Sequence, residues 1–412
     1  MCPVGTGRAD DGGDPHGPID VDWPALLASV RTPADLPTAT RRAAGLPDGK
    51  RTAPAGAWDA IQRGAPPPIW WPLIRALRLG DGDQLQPSGE LAQITDLDLG
   101  VEAPVLQLDA LAALPRVRRL HVRDWNAADL EPFGVLSDLV ELHVENASAL
   151  VNLDAVVHLS DLCALALLQV PVLADLSPVS WLPQLQSLIL SGSSSLADLT
   201  PVRELDHLRQ LRFGPTAELG SLAPLEGLRE LVDLWCVADG VADATPLAGL
   251  TALTDLHLRA ARVTALDFLP GLSGLRRAYL STAALRLPPL PAGLEDLRLD
   301  GTHVDDLGAL DATRHLRTLE IAPAPRLVDL QALSGLHTLQ QLRIDSAPAL
   351  VDLEGLRDLT RLSVVELTRC PALTDLSALT DLPGLRVLDV TGSPSAVVPG
   401  ELAGMDGLRV LR

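Results

Sequence analysis

Bulky aromatic rings are scarce in this sequence: three phenylalanines and one tyrosine serve 412 residues. A core built from aromatic clusters is therefore excluded, and aliphatic side chains must do nearly all the filling. Lysine is scarcer still. Lys50 is the only one among 33 basic residues, which stand against 53 acidic ones for a formal net charge of −20. Acidity of that size repels nucleic acid and anionic membranes, so neither is expected as a partner. The four cysteines, Cys2, Cys163, Cys236 and Cys370, lie far apart without C-x-x-C spacing, which indicates neither a zinc site nor a disulfide framework. Nowhere do 18 uncharged apolar residues run together, and MCPVGTGRADDGG at the start has no basic stretch followed by an apolar one. A cytoplasmic chain is expected, with no membrane contact and no cofactor.

Leucine supplies what the aromatics do not, with 85 copies. They recur in a pattern, L-x-x-L-x-L, whose second member falls at Leu97, Leu120, Leu142, Leu165, Leu188, Leu211, Leu234, Leu256, Ala278, Leu297, Leu319, Leu342, Val365, Leu388 and Leu411. Successive anchors are 22 or 23 residues apart except for one spacing of 19, and an outlying copy, IRALRL, is centred on Leu77. Between them the chain reads like LTDLSALTDLPGL, apolar at every third place, a period that suits a 3₁₀-like or irregular segment better than an α-helix. Ser177-Pro178, Thr200-Pro201 and Thr245-Pro246 look like a capping hydroxyl followed by a proline in a first turn.

From about residue 70 to its end the chain resembles a leucine-rich repeat protein, and its L-x-D-L-[ST]-P-L-x-x-L copies resemble the 22-residue internalin-like class. It is also similar to the arrays at the C-terminal ends of bacterial NACHT-type signalling ATPases. The resemblance implies an α/β solenoid: a right-handed horseshoe with a parallel β-sheet on its concave face and 3₁₀ or irregular descending segments, in about 15 to 16 repeats over residues 70–412. One departure stands out. The family often carries Asn three residues after the last strand leucine, where this chain has Ala147, Ser193, Thr216, Ala261, Thr302 or Cys370.

Residues 1–69 differ in character. With Pro72 they hold 12 of the 34 prolines, and through Trp71 four of the seven tryptophans. They are expected to form a disordered start followed by a short-helix cap that lays indole surface over the first coil; a small docking module is the alternative. At the other end LRVLR stops inside a strand, leaving an edge through which homo-oligomers are expected.

Several constellations invite chemistry. GLPDGKRT around Lys50 fails as a phosphate loop, with one residue too few between its glycines and Arg51 in place of the metal-binding hydroxyl. Asp129, Asp175, Asp198, Asp243, Asp306, Asp329, Asp352 and Asp375, with Asn152 in the same row, share one repeat position. Before a turn, that pattern predicts acceptors of backbone N–H rather than calcium ligands. His121 and His143 fall on adjacent strands beside Glu145, but Arg119 and Arg123 argue against a concentrated cation, and no metal site is expected. Asp255, His257 and Ser281 share a face without an oxyanion hole, so no enzyme is expected either.

Strand residues alternate faces. One step past each anchor, the concave column reads Arg78, Asp98, His121, His143, Ala166, Ile189, Arg212, Trp235, His257, Tyr279, Arg298, Glu320, Arg343, Glu366 and Asp389. LRELVDL also allows Leu231 as the anchor, which would turn Trp235 inward, but the spacings of 23 before Leu234 and 22 after it favour the outward register. The expected partner site is then Arg212, Trp235, His257, Arg259, Arg277, Tyr279 and Arg298, beside the one short repeat at 284–299. This reads as a non-enzymatic scaffold that binds a protein or peptide. The alternative is a sensor component of a NACHT-like defence or signalling system.

Overall fold

The computed structural model describes residues 78–79, 96–100, 116–301, 304 and 306–412. The cap expected over 1–69 and the Lys50 loop lie outside them. The chain divides into two compact units, 1–190 and 191–412. In the first, β1 (Arg78–Leu79), β2 (Asp96–Gly100), β3 (Arg119–Arg123), β4 (Glu141–Val144) and β5 (Ala164–Leu168) follow in chain order, each paired in parallel with the next. The strand β6 (Ser187–Ser191) spans the division.

In the second unit β7 (Gln210–Thr216), β8 (Asp233–Ala238), β9 (Asp255–Ala260), β10 (Arg277–Thr282) and β11 (Asp296–Asp300) pair in the same way. So do β12 (Thr318–Ala322), β13 (Gln341–Asp345), β14 (Val364–Thr368), β15 (Val387–Asp389) and β16 (Arg409–Leu411). Parallel neighbours separated by one coil are what a repeat too small to bury its own apolar side must form.

The leucine anchors define the interior. From Leu120 to Leu388 every one is at most 3% exposed. Phe133, Phe213 and Phe268 are buried with them, as is Trp125 against Phe133, and aliphatic side chains make up most of the rest. The last anchor is a correction. Leu388 pairs with Val410 and not with Leu411, one residue earlier than the expected spacing, after a short α-helix at Gly400–Ala403 that the period of three did not predict.

The descending segments are short 3₁₀-helices, among them Ser177–Trp181, Thr200–Glu204 and Thr245–Gly249, each with proline in its first turn. The preceding hydroxyl does not cap them. The cap positions belong to Leu176, Leu199 and Ala244, and the terminal N–H groups are taken instead by the aspartate row. Oδ1 of Asp175, Asp198 and Asp243 each accepts the backbone N–H two residues on, at 2.8 Å. The same bond recurs at Asp129, Asn152, Asp306, Asp329, Asp352 and Asp375, at 2.6 to 3.2 Å. Hydrogen bonds from Ser177 and Thr200, hydroxyl first and backbone N–H second, hold Asp175 and Asp198 below the usual carboxylate range. These oxygens are turn acceptors, as the pattern predicts.

Small hydroxyls stand in for the missing asparagine at some repeats, while Ala147 and Cys370 fill the place without one. Thr216 Oγ1 donates to Leu196 C=O at 2.6 Å, while Ser393 Oγ accepts from Cys370 N–H and donates to Leu367 C=O, both at 2.9 Å. Ala261 departs from that role and is exposed. Several glycines are dictated by close backbone approach, Gly214 and Gly355 among them. Gly214 sits at φ +109° in the irregular end of β7, where a Cβ would lie 2.3 Å from Val237 O, and a Cβ on Gly355 would lie 1.9 Å from Leu330 O. Cys236 and Cys370 are buried free thiols.

The exceptional repeat keeps the sheet intact. All of its descending residues, 283–295, lack a 3₁₀-helix, yet β10 and β11 pair without a break from Arg277↔Asp296 to Ser281↔Asp300.

Candidate functional site

The outward register holds. Leu234 and Cys236 are fully buried while Trp235 between them is 42% exposed, because side chains alternate along β8. Arg212, Trp235, His257, Tyr279 and Arg298 are register partners across five consecutive strands, β7 to β11.

The three rings form a stack. Trp235 and His257 have centroids 3.5 Å apart at 5° between planes, and His257 and Tyr279 are 4.2 Å apart at 9°. Strands are about 4.8 Å apart, so the rings lean together to reach contact. The Arg212 guanidinium carbon lies 6.0 Å from the indole centroid on the outer side of the stack, within cation–π range. At the other end the Tyr279 hydroxyl donates to Asp300 Oδ2 at 3.1 Å. With faces spent on one another, the rings offer their edges to the space above the sheet.

Each expected arginine has a carboxylate partner, which reading outward columns did not reveal. Arg212 binds Asp233 at 2.5 Å, with Gln210 donating to the same oxygen at 2.9 Å. Arg277 binds Asp255, Arg298 reaches Glu320 at 3.6 Å and Arg259 reaches Asp239 at 3.8 Å. The signal was present, since aspartate precedes the anchor in DLW, DLH and DLR. Six of the seven expected residues line one open cavity of about 570 Å³, together with Asp233, Asp255 and Asp296. Arg259 is the exception, one outward column away.

Burial between the rings, and next the charge of Arg212, push the His257 pKa down to about 4. Burial first and Asp300 second raise that of Tyr279, and the hydrogen bond to Asp255 raises that of Arg277. At neutral pH the stack is therefore uncharged. The Asp255–His257–Ser281 triad is not assembled: Asp255 is held by Arg277 and Thr254, Ser281 pairs in register with Arg259, and His257 is enclosed by rings.

These parallel strands, their buried leucine anchors and the 3₁₀ coils between them decide the fold. This is a leucine-rich repeat solenoid. Similar solved structures share the architecture at low sequence identity. A leucine-rich repeat protein of Leptospira interrogans matches with TM-score 0.71 and 18% identity over 96% of this chain and 99% of that one. An internalin from Listeria monocytogenes matches with TM-score 0.57 and 20% identity over 78% and 87%. The ectodomain of the Arabidopsis thaliana receptor kinase GASSHO1/SCHENGEN3, solved in complex with Casparian strip integrity factor 2, matches with TM-score 0.52 and 16% identity over 79% and 48%. No protein-family model and no curated protein sequence matches the solenoid. Among the described residues no helix is long and apolar enough to cross a membrane.

Proposed function

We propose that this solenoid is a non-enzymatic, cytoplasmic scaffold that binds a protein or peptide over β7 to β11. The observation that carries the reading is Trp235, a large ring 42% exposed in the floor of an open cavity, beside His257, Tyr279 and three paired arginines. Such a surface suits a protein partner. Ring edges give apolar area, and each Arg–Asp pair can exchange part of its bond for a partner's polar group without stranding a charge. A structure of the same fold in complex with Casparian strip integrity factor 2 supports ligand binding as a use of this architecture.

The case against nucleic acid rests on net charge alone. No specific observation favours the NACHT-type signalling alternative.

Affinity capture from the native host, with the wild-type chain and the Trp235→Ala/Tyr279→Ala variant side by side, tests the proposal. A partner retained by the wild type and lost by the folded variant supports it. Identical captured sets, or none from either chain, argue against it.

A further inference from the structure

We infer that His121, His143 and Glu145 form a binding site for a divalent transition cation of the zinc class, separate from the ring stack. The two imidazoles are register partners on β3 and β4, stacked with centroids 4.5 Å apart at 28°. Their Nε2 atoms do not point at open water. Both are shielded from solvent and both converge on one carboxylate oxygen, Glu145 Oε1, at 3.2 Å from His121 and 3.3 Å from His143.

Those distances suit a shared cation. Zinc bonds of about 2.0–2.2 Å to nitrogen and oxygen place neighbouring ligands of a tetrahedron roughly 3.3–3.5 Å apart. Two edges of the tetrahedron already have nearly that length, and all three ligand atoms lie within 4.8 Å of one another. The third edge, between the two Nε2 atoms, would shorten as a cation binds, with the fourth position left to water.

The backbone at Glu145 is anchored. Glu145 N–H donates to Val122 C=O at 2.8 Å and Glu145 C=O accepts from Trp125 N–H at 3.3 Å, so the loop after β4 is tied to the end of β3. The two imidazoles are borderline ligands and outnumber the one hard carboxylate, a set that suits zinc, cobalt or nickel better than calcium or magnesium. Of the nearby arginines, Arg119 stands in register with Glu141, a carboxylate one column away.

The test uses the full chain without an affinity tag, titrated with Zn²⁺ by calorimetry and with Co²⁺ by visible absorption. One equivalent should bind, with the d–d bands of low-coordinate cobalt and a rise in thermal midpoint that chelator reverses. Outer-shell partners alone are worth ~10–100-fold in metal affinity, so His121→Gln/His143→Gln should weaken binding by more than about 100-fold. Glu145→Gln should weaken it as well and serves as the test if the double variant fails to fold. His207→Gln, which removes an imidazole paired with Glu230 at 3.5 Å but lacking a second ring, should bind like the wild type. No binding by the wild type, or equal binding by the folded double variant or by Glu145→Gln, overturns the site.

Discussion

Trp235 and His257, 22 residues apart in sequence, lie ring on ring at 3.5 Å and 5°. The imidazole has the indole on one side and the phenol of Tyr279 on the other. An ordinarily solvated, titrating side chain has become a neutral spacer between two larger rings, and its protonation reports whether the stack is closed.

Histidine titration followed by NMR should find His257 neutral until the pH approaches 4. The unfolded chain takes up that proton near the ordinary value of 6.5. The group's contribution to stability is therefore fully present above about pH 6.5 and lost progressively as the pH falls from there toward 4. Tyr279→Ala opens one side of the imidazole and should raise its pKa toward 6.5; an unchanged value would show that the phenol does not shield it.

Thermal unfolding of Trp235→Ala/Tyr279→Ala should resemble that of the wild type, with a loss of roughly 1 kcal/mol per stacked pair. A loss several times larger would mean that the rings brace the sheet, and weakened partner capture by that variant would then carry no information about contact.

Asp198→Ala removes the acceptor for both the Thr200 backbone N–H, at 2.8 Å, and its hydroxyl, at 2.6 Å. A loss of about 0.5–1 kcal/mol is expected at neutral pH, in the range of other lost caps. Because the hydrogen-bonded carboxylate titrates below 3.8, the difference should persist above that pH and fade as acid protonates Asp198 in the wild type. Denaturant melts at neutral pH and at about pH 3 check the sign; a difference that grows in acid contradicts it.

Gly355→Ala should destabilise by at least ~1–3 kcal/mol, as overpacking does, since the added methyl would sit 1.9 Å from the Leu330 carbonyl oxygen. Gly227→Ala meets nothing within 4 Å and should be nearly silent. Comparable melts for the two would remove close coil-to-coil approach as the reason for glycine at 355.

The strands, the outward column and the turn aspartates were legible because each follows the period of the repeat, and a period reports which face a residue occupies. It does not report what the side chain touches there. Reading the outward column one step past each anchor did not show that Asp233 and Asp255 hold Arg212 and Arg277: the first bond runs diagonally between columns, and the second joins direct register partners in the column before the anchor. Ser177 and Thr200 were misread for a related reason: one residue decides whether a hydroxyl sits at a cap or just inside it, and the aspartate two places earlier reaches the N–H first. The slip at Val410 came from extending a 23-residue step through a coil that contains an α-turn. At His121 and His143 the column was read correctly, but the convergence of both nitrogens on Glu145 depends on rotamers that periodicity does not encode.

The coil at 283–295 drops its helix while β10 and β11 stay aligned residue for residue. Length changes at the rear of a repeat are thus decoupled from the lattice of side chains at its front. Such a scaffold can gain or shed loop residues without scrambling what it displays, and can alter the display column by column while its leucines stay where they are.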